Sequence, residues 1–247
     1  MTVPWWRHHF DDDYFTLHDP LFDEARSRRE VAGVRELLAL PVGARVLDAP
    51  CGWGRHTALL AEAGLHVTGA DLSPQLLRRA PREADAVVTP VYVAADIRSL
   101  PFADASFDAV INVYTSLGLF LDDDADIAAL HEARRVLERG GALLLESMHR
   151  DDVMTDYAER DAWTLPDGTE IRVRRRFDPI TGISHEQLQW RRGAERGRKR
   201  HSLRLRTATE IDRLLCAAGF HEVQYFGDWS GRPFRHRAES LIAVARP

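Results

Sequence analysis

The chain has 247 residues, 45% of them hydrophobic, and a formal net charge of −5 at pH 7. That length suits one domain with a packed core and room for an inserted cap. It holds no apolar run of the roughly 18 residues that a membrane helix needs. The start, M-T-V-P-W-W-R-H-H, has no apolar signal core, so a cytoplasmic protein is expected.

Two cysteines, Cys51 and Cys216, do not make a zinc site by themselves, and no metal is expected. Lys199 is the only lysine among 33 basic residues. Charge is unevenly spread. Residues 161–206 carry 12 basic and 6 acidic side chains, and the rest of the chain carries 21 and 32. Such a basic segment is either a solvated strand face or a device that attracts an anionic substrate.

Residues 1–42 read as a helical N-terminal lid. Val31, Val34, Leu37 and Leu38 form an apolar stripe at helical spacing, before Pro41 and Gly43 turn the chain. Ahead of them, W-W-R-H-H-F-D-D-D-Y-F-T-L-H-D-P is aromatic and rich in acids and histidines. His8, His9 and Asp11–Asp13 match no chelating pattern, and an aromatic segment of this kind is expected to close over a cleft.

The next stretch, V-L-D-A-P-C-G-W-G-R-H-T from Val46 to Thr57, changes from a buried strand to a helix through a glycine turn. Gly52 and Gly54 let the backbone turn tightly and approach a ligand, and Asp48 puts a carboxylate at the strand's end. A dinucleotide fingerprint needs a third glycine where Thr57 stands. The remaining pattern, D-x-x-C-G-x-G-R-H, resembles motif I of the class I S-adenosylmethionine-dependent methyltransferases, with Pro50 in place of the motif's first glycine, as in a bacterial small-molecule subgroup.

A second strand, from His66, ends at Asp71, an acid placed to accept from ribose hydroxyls. Ser73 and Pro74 then open a helix as cap and first residue. Val91–Val93 form a third strand before A-A-D-I, where the resemblance places Asp96 at the adenine amino group and Ile97 against its ring. S-F-D-A-V-I-N-V-Y-T-S-L-G resembles the family's fourth motif, with Asn112 to Ser116 crossing the strand's carboxyl end beneath the cofactor. Its N-V-Y-T differs from the Pro-Pro-aromatic pattern of amino-methylating nucleic-acid enzymes, which counts against a nucleobase substrate. A helix through Ile127, Leu130, Val136 and Leu137 leads, by way of Gly140 and Gly141, to a fifth strand over Ala142–Leu145.

From 161 to 206 Ile171, Val173 and Phe177 alternate with arginines, as do Leu203 and Leu205, which predicts antiparallel strands with one wet face. The tract R-R-G-A-E-R-G-R-K-R, 191–200, is expected to be a hairpin tip. Thr207 and Glu210 form a capping box for a helix ending near Gly219, and the 220–226 and 241–245 runs supply two closing strands.

The fold expected is therefore α/β: a Rossmann-like seven-stranded methyltransferase sheet with a C-terminal antiparallel hairpin and an inserted antiparallel β cap. Its parts are a lid (1–42), a cofactor-binding core (43–160), a cap (161–206) and a closing segment (207–247). The resemblance implies S-adenosylmethionine as cofactor, held by Asp48, Cys51, Gly52, Gly54, Asp71, Leu72, Asp96, Ile97, Asn112 and Tyr114. It also implies methyl transfer to an oxygen or nitrogen of a small molecule, without nucleic acid or membrane partners. In-line methyl transfer needs mainly alignment, with a base only where the acceptor keeps its proton. His149, in E-S-M-H-R-D after the fifth strand, is the expected base, and Tyr14 is expected to close the cleft and hydrogen-bond cofactor or substrate. An NAD-linked oxidoreductase and a non-catalytic cofactor-binding module remain as alternatives.

Overall fold

The computed structural model describes residues 4–81 and 88–247, so the first three residues of the lid lie outside it. The lid comprises α1 (Trp6–His9), α2 (Asp12–His18), a 3-10 turn (Asp19–Leu21) and α3 (Glu24–Leu37). Asp11 and Asp23 start α2 and α3 by accepting from the backbone N–H three residues on. Of the acid run noted in the sequence, Asp11 is thus a helix cap and Asp12 pairs with Arg79 at 2.9 Å.

A seven-stranded sheet follows. Its strands are β1 (Arg45–Asp48), β2 (His66–Asp71), β3 (Val91–Ala94), β4 (Phe107–Asn112), β5 (Leu137–Ser147), β10 (Glu222–Phe226) and β11 (Leu241–Arg246). The spatial order is β10-β11-β5-β4-β1-β2-β3. β1 to β5 run parallel, and β11 enters antiparallel beside β5 with β10 outside it. The order reverses at β1, which lies between β2 and β4. At such a switch point the connections leave in opposite directions and open a crevice at the strands' carboxyl ends.

Alternate strand residues feed two cores. Val46, Ala109, Ile111 and Leu144 pack with Val34 of α3 and Leu60 of α4 (Arg55–Glu62). Leu47, Val110, Leu143 and Leu145 pack with Leu130 of α6 (Asp123–Val136) and Ile211 and Leu215 of α8 (Ala208–Ala217). Both faces are covered by helices, which is why these strands read as continuous apolar runs. Ser73 caps α5 (Pro74–Arg79) and Thr207 completes the capping box of α8.

The fifth strand begins earlier than its apolar run. Leu137 pairs with Phe107, the register then shifts, and Ala142 resumes pairing with Ala109. Gly140 (φ 87°) and Gly141 absorb that irregularity, and a Cβ on Gly141 would lie 2.8 Å from the Asp108 carbonyl oxygen.

After α7 (Arg150–Val153), a second, antiparallel sheet contains β6 (Arg160–Thr164), β7 (Glu170–Asp178), β8 (Ile183–Arg192) and β9 (Glu195–Arg204), in that spatial order. Ile171, Val173 and Leu188 form its buried face with Leu17 of α2. The hairpin tip is only Gly193-Ala194. Arg192 pairs with Glu195, and the basic tract from Glu195 onward is strand, not tip. A two-residue turn suffices because Gly193 adopts φ 59°. Among the described residues no helix is long and apolar enough to cross a membrane.

Gly54 combines a left-handed backbone (φ 77°) with a packed neighbour, since a Cβ there would lie 2.6 Å from the Tyr92 hydroxyl oxygen. Gly193 has a similar φ but open space. Gly54→Ala should therefore cost at least about 2 kcal/mol in urea unfolding, from backbone strain plus overpacking, and Gly193→Ala about half as much. Equal losses would refute the packing argument.

Candidate functional site

A cleft of about 450 Å³ lies over the carboxyl ends of β1, β2 and β4. Its floor is built by the loop after β1. Gly52, at φ 57° with open space where a Cβ would stand, donates its N–H to Asp71 Oδ2 at 2.8 Å. Ser73 N–H takes the other oxygen, Oδ1, also at 2.8 Å. Burial pushes the Asp71 carboxyl up, and these backbone N–H bonds oppose the shift. One carboxylate thus fixes the exits of two strands and still faces the cleft.

Asp96, after β3, is on the same wall and is held by Arg98 through Nη2 (2.7 Å) and Nε (3.0 Å). That hydrogen bonding holds its carboxyl below the usual range. Arg98 in turn packs on Trp6 (4.9 Å) and Phe120 (4.5 Å), which joins the lid to the wall. Cys51, Leu72, Ile97 and Tyr114 also line the cleft. Burial raises the Cys51 thiol well above its ordinary range.

Four expected residues are elsewhere. Asp48 is not at the mouth: it is 2% exposed beneath the loop and accepts from Thr57 Oγ1 at 2.6 Å. Burial pushes its carboxyl up to about 7, the Thr57 bond opposing, so it is a support for the loop and not a charged wall. Gly54 is off the wall as well, its freedom used by Tyr92 behind it. Asn112 turns to a small void under the cleft, where its Oδ1 accepts from Ser116. His149, the expected base, is 4% exposed and off the cleft, its ring edge-on to Phe234 at 5.1 Å. The chain leaves β5 and immediately bridges to Arg206, whose carbonyl accepts from Arg150 N–H at 2.8 Å. This turn swings the imidazole away from the strand edge.

Tyr14 does line the cleft, stacked on His18 with centroids 3.9 Å apart. Burial raises its proton affinity, so it is a phenol that donates and not a base.

Several cleft residues were missed in the sequence. Glu146, the penultimate residue of β5, is on the wall, with Tyr114 N–H (2.7 Å) and Ser240 Oγ–H (2.7 Å) on its carboxylate. Its signal was an acid closing the apolar run L-L-L, as at Asp71. Arg26 and Arg55 supply positive charge beside Phe22, at 4.8 and 4.4 Å from its ring. Both are bound to buried Glu30, as is His56 Nε2 at 2.7 Å. Burial opposes ionisation of Glu30, but His56, Arg55 and Arg26 outweigh it and hold the carboxyl at about 2. Burial keeps His56 neutral, so its bond is from Nε2–H.

The lid meets the second sheet through the chain's lone lysine. Lys199 Nζ donates to the His9 carbonyl at 3.0 Å and to the Asp11 carboxylate. His9, His18 and His201 gather around this contact, His9 and His201 rings being 5.2 Å apart. The sheet's arginines do not reach the cleft. Arg172, Arg174, Arg176, Arg198 and Arg200 are exposed, and only His201 and Leu203 of β9 are on the wall.

The sheet order and the cleft wall together make a Rossmann-like unit with its cleft at the first βαβ unit. Comparison with known proteins is specific. Residues 46–141 match the family described as "Methyltransferase domain". Malonyl-[acyl-carrier protein] O-methyltransferase of Erwinia billingiae is 35% identical over 144 residues, 58% of this chain and 52% of that protein. The chain thus spans about half the length of the curated relatives it matches. Among solved structures, the CcbJ methyltransferase from Streptomyces caelestis superposes with TM-score 0.83 at 21% identity, over 97% of this chain and 98% of that one. CalS10, an amino pentose methyltransferase from Micromonospora echinaspora described with S-adenosylmethionine bound, gives 0.72 at 23%, over 96% and 97%. At these identities the structural likeness is one of fold. The stretch 46–141 is thus similar to a methyltransferase domain, and the whole chain shares its fold with solved methyltransferases.

The lid contact sets a pH dependence. Burial lowers His9 to about 3 and His18 to about 4, and it also lowers His201. Each is neutral when folded and titrates near 6.5 when unfolded, so the unfolded chain binds more protons between those limits. Stability is full above pH 6.5 and falls as pH drops toward 4. Thermal midpoints measured from pH 7.5 to 4.5 should fall, and the fall should shrink in a His9→Gln/His18→Gln variant. An unchanged slope would remove the histidines as its cause.

Proposed function

We propose that the chain is an S-adenosylmethionine-dependent methyltransferase acting on an oxygen or nitrogen of a small molecule. The observation that carries this is the polarity of the cleft. Asp71 and Asp96 stand on one wall at the ends of adjacent strands, with open space over Gly52, and Arg26 and Arg55 stand elsewhere on the lining. S-adenosylmethionine needs those features together: hydroxyl acceptors, an acid for the adenine amino group, and cations for its carboxylate. Bound there, it supplies the electrophilic methyl group and the sulfur leaving group.

In this reading Asp71 holds the ribose, and Asp96, with Ile97 and Leu72, holds the adenine. Tyr14 and the two arginines hold the amino-acid end. Cys51, Gly52 and Tyr114 shape the surface the cofactor lies on. The aromatic lid, Trp5, Trp6, Phe10 and Phe22, excludes water, which aligns and dries the site for displacement.

The relatives act on a malonyl oxygen and on amino pentoses by their descriptions, and CalS10 is described as a biosynthetic enzyme for calicheamicin. We extend to this chain an O- or N-linked acceptor of that size, in secondary metabolism and in the cytoplasm. Nucleic acid is disfavoured by the Asn112-Val113-Tyr114-Thr115 sequence, and recruitment of an anion by the second sheet is disfavoured because its arginines face away. The NAD-linked alternative loses support at Thr57, whose hydroxyl is used by Asp48.

Isothermal titration tests the reading. S-adenosylmethionine should bind and NAD should not. Asp71→Ala should weaken binding tenfold to a hundredfold or more, as expected for lost charge-assisted bonds of about 1.5–3 kcal/mol each. Tight NAD binding, or unchanged affinity in a folded Asp71→Ala protein, would overturn it.

A further inference from the structure

Glu146 is a cleft carboxylate that is partly shielded from solvent and yet, among the described residues, carries no ion pair, whereas Glu239 on the same lining is exposed. Glu30 is bound by two arginines and a histidine, and Asp96 by Arg98. Asp71 serves the cofactor side in the reading above. Glu146 receives only two neutral donors, the N–H of Tyr114 on Oε2 and the hydroxyl of Ser240 on Oε1. Among the described residues no arginine, lysine or histidine forms an ion pair with it.

Its placement is built, not incidental. It is the last residue but one of β5, beside β11 and opposite Ile242, and Leu145 before it pairs with Asn112 at the end of β4. The loop that follows β4 is bent to meet it: Tyr114 and Thr115 both have left-handed backbones, φ 69° and 50°. Strain of this kind in non-glycine residues persists only where the surroundings enforce it. Here it delivers the Tyr114 N–H to Glu146 and the Thr115 hydroxyl to the Met148 N–H at 2.8 Å. The neighbouring wall is aromatic and acidic, with Phe22 against Tyr114 at 4.6 Å and a second carboxylate, Glu239, lining the same cleft.

We infer that Glu146 receives the acceptor's proton, and that the acceptor therefore presents an N–H or O–H group, not a carboxylate. The inference rests on the methyltransferase reading and deepens it. The bond formed joins the methyl carbon to the acceptor nitrogen or oxygen. The bond broken is carbon to sulfur, its electron pair leaving on sulfur, and the acceptor's proton passes to a Glu146 oxygen. An acceptor carboxylate has no proton to give and would face Glu146 and Glu239 as like charges.

Burial raises the Glu146 carboxyl, Ser240 and Tyr114 N–H opposing, which suits a group that must hold a proton briefly. The charged and titratable groups facing it are Arg26 and Glu30 from α3, Tyr114 from the loop after β4, and Glu239 before β11.

Three probes of one shape test the inference: benzylamine, benzyl alcohol and benzoate, titrated into the full chain saturated with S-adenosylhomocysteine. Benzylamine should bind at least tenfold more tightly than benzoate, with benzyl alcohol between them. In Glu146→Gln, checked for an unchanged thermal midpoint and S-adenosylhomocysteine affinity, that preference should vanish. Benzylamine affinity should fall as pH drops through the raised Glu146 transition, and Ser240→Ala, which removes one donor, should move that midpoint upward. Absence of benzylamine binding, equal or stronger benzoate binding, or a preference that survives Glu146→Gln would overturn the inference alone. Failure of the wild-type chain to bind S-adenosylhomocysteine would bring down the methyltransferase reading and this inference together.

Discussion

The two backbone N–H groups that converge on Asp71 tie the loop after β1 to the turn after β2, and the rest of the cleft is arranged around that junction. It acts with the Cys51 N–H bond to the Ala70 carbonyl (2.9 Å) to set the height of the Gly52 loop over the sheet. The junction also explains how the first βαβ unit manages without a third glycine. Close packing of helix on strand normally needs a residue without Cβ on the helix. Here the strand provides it: a Cβ on Gly69 of β2 would lie 2.9 Å from Thr57 Oγ1 and 2.9 Å from Cys51 Sγ. Thr57 can therefore keep its hydroxyl, which satisfies the buried Asp48. The missing glycine of one reading and the misplaced acid of the other have a single physical cause.

The second constraint is the contact of lid and second sheet. Burying an ammonium is costly unless it is paired and hydrogen-bonded, and Lys199 has both a carboxylate and a carbonyl. A compact ammonium suits a narrow space in which a guanidinium fork would need more partners. That gives the chain's single lysine a structural reason. Arg206 makes a comparable tie on the other side, bound to Asp123 and to fully buried Asp126 of α6. The second sheet is thus fastened at one end to the lid and at the other to the core.

What the sequence made legible was periodic or local. Apolar runs identified β1, β4, β5 and β11, alternation identified β7 and β9, and the caps Ser73 and Thr207 were readable because each acts on residues within a few positions, while Asp71 was readable as the acid that ends an apolar strand. What it hid depends on direction and distance. Asp48 and Asp71 both end strands, yet only the fold shows that Thr57 lies over the first. His149 and Glu146 are three residues apart, and the turn toward Arg206 decides which of them faces the cleft. Lys199 and His9 are 190 residues apart, and no local rule pairs them. The basic tract reads as a tip because its arginines are polar, although all five of them sit on regular strands.

Those arginines also show why net charge in a segment is a poor guide to what a site binds. In β7 to β9 the alternation sends Arg172, Arg174, Arg176, Arg198 and Arg200 to the solvent face, and Ile171, Val173, Leu188 and Lys199 to the inner one. Exposed charges separated from the cleft by a packed sheet are screened over about 8–10 Å at ordinary salt. The charge a ligand meets in the cleft is set instead by Arg26 and Arg55 at one part of the wall and by Asp71, Asp96, Glu146 and Glu239 at others. Two of the cleft's acids, Glu146 and Glu239, lie where β5 and β11 end the wall, and both of its arginines are drawn toward Glu30. The electrostatics of the acceptor side therefore oppose those of the segment that, by composition, had suggested an anion.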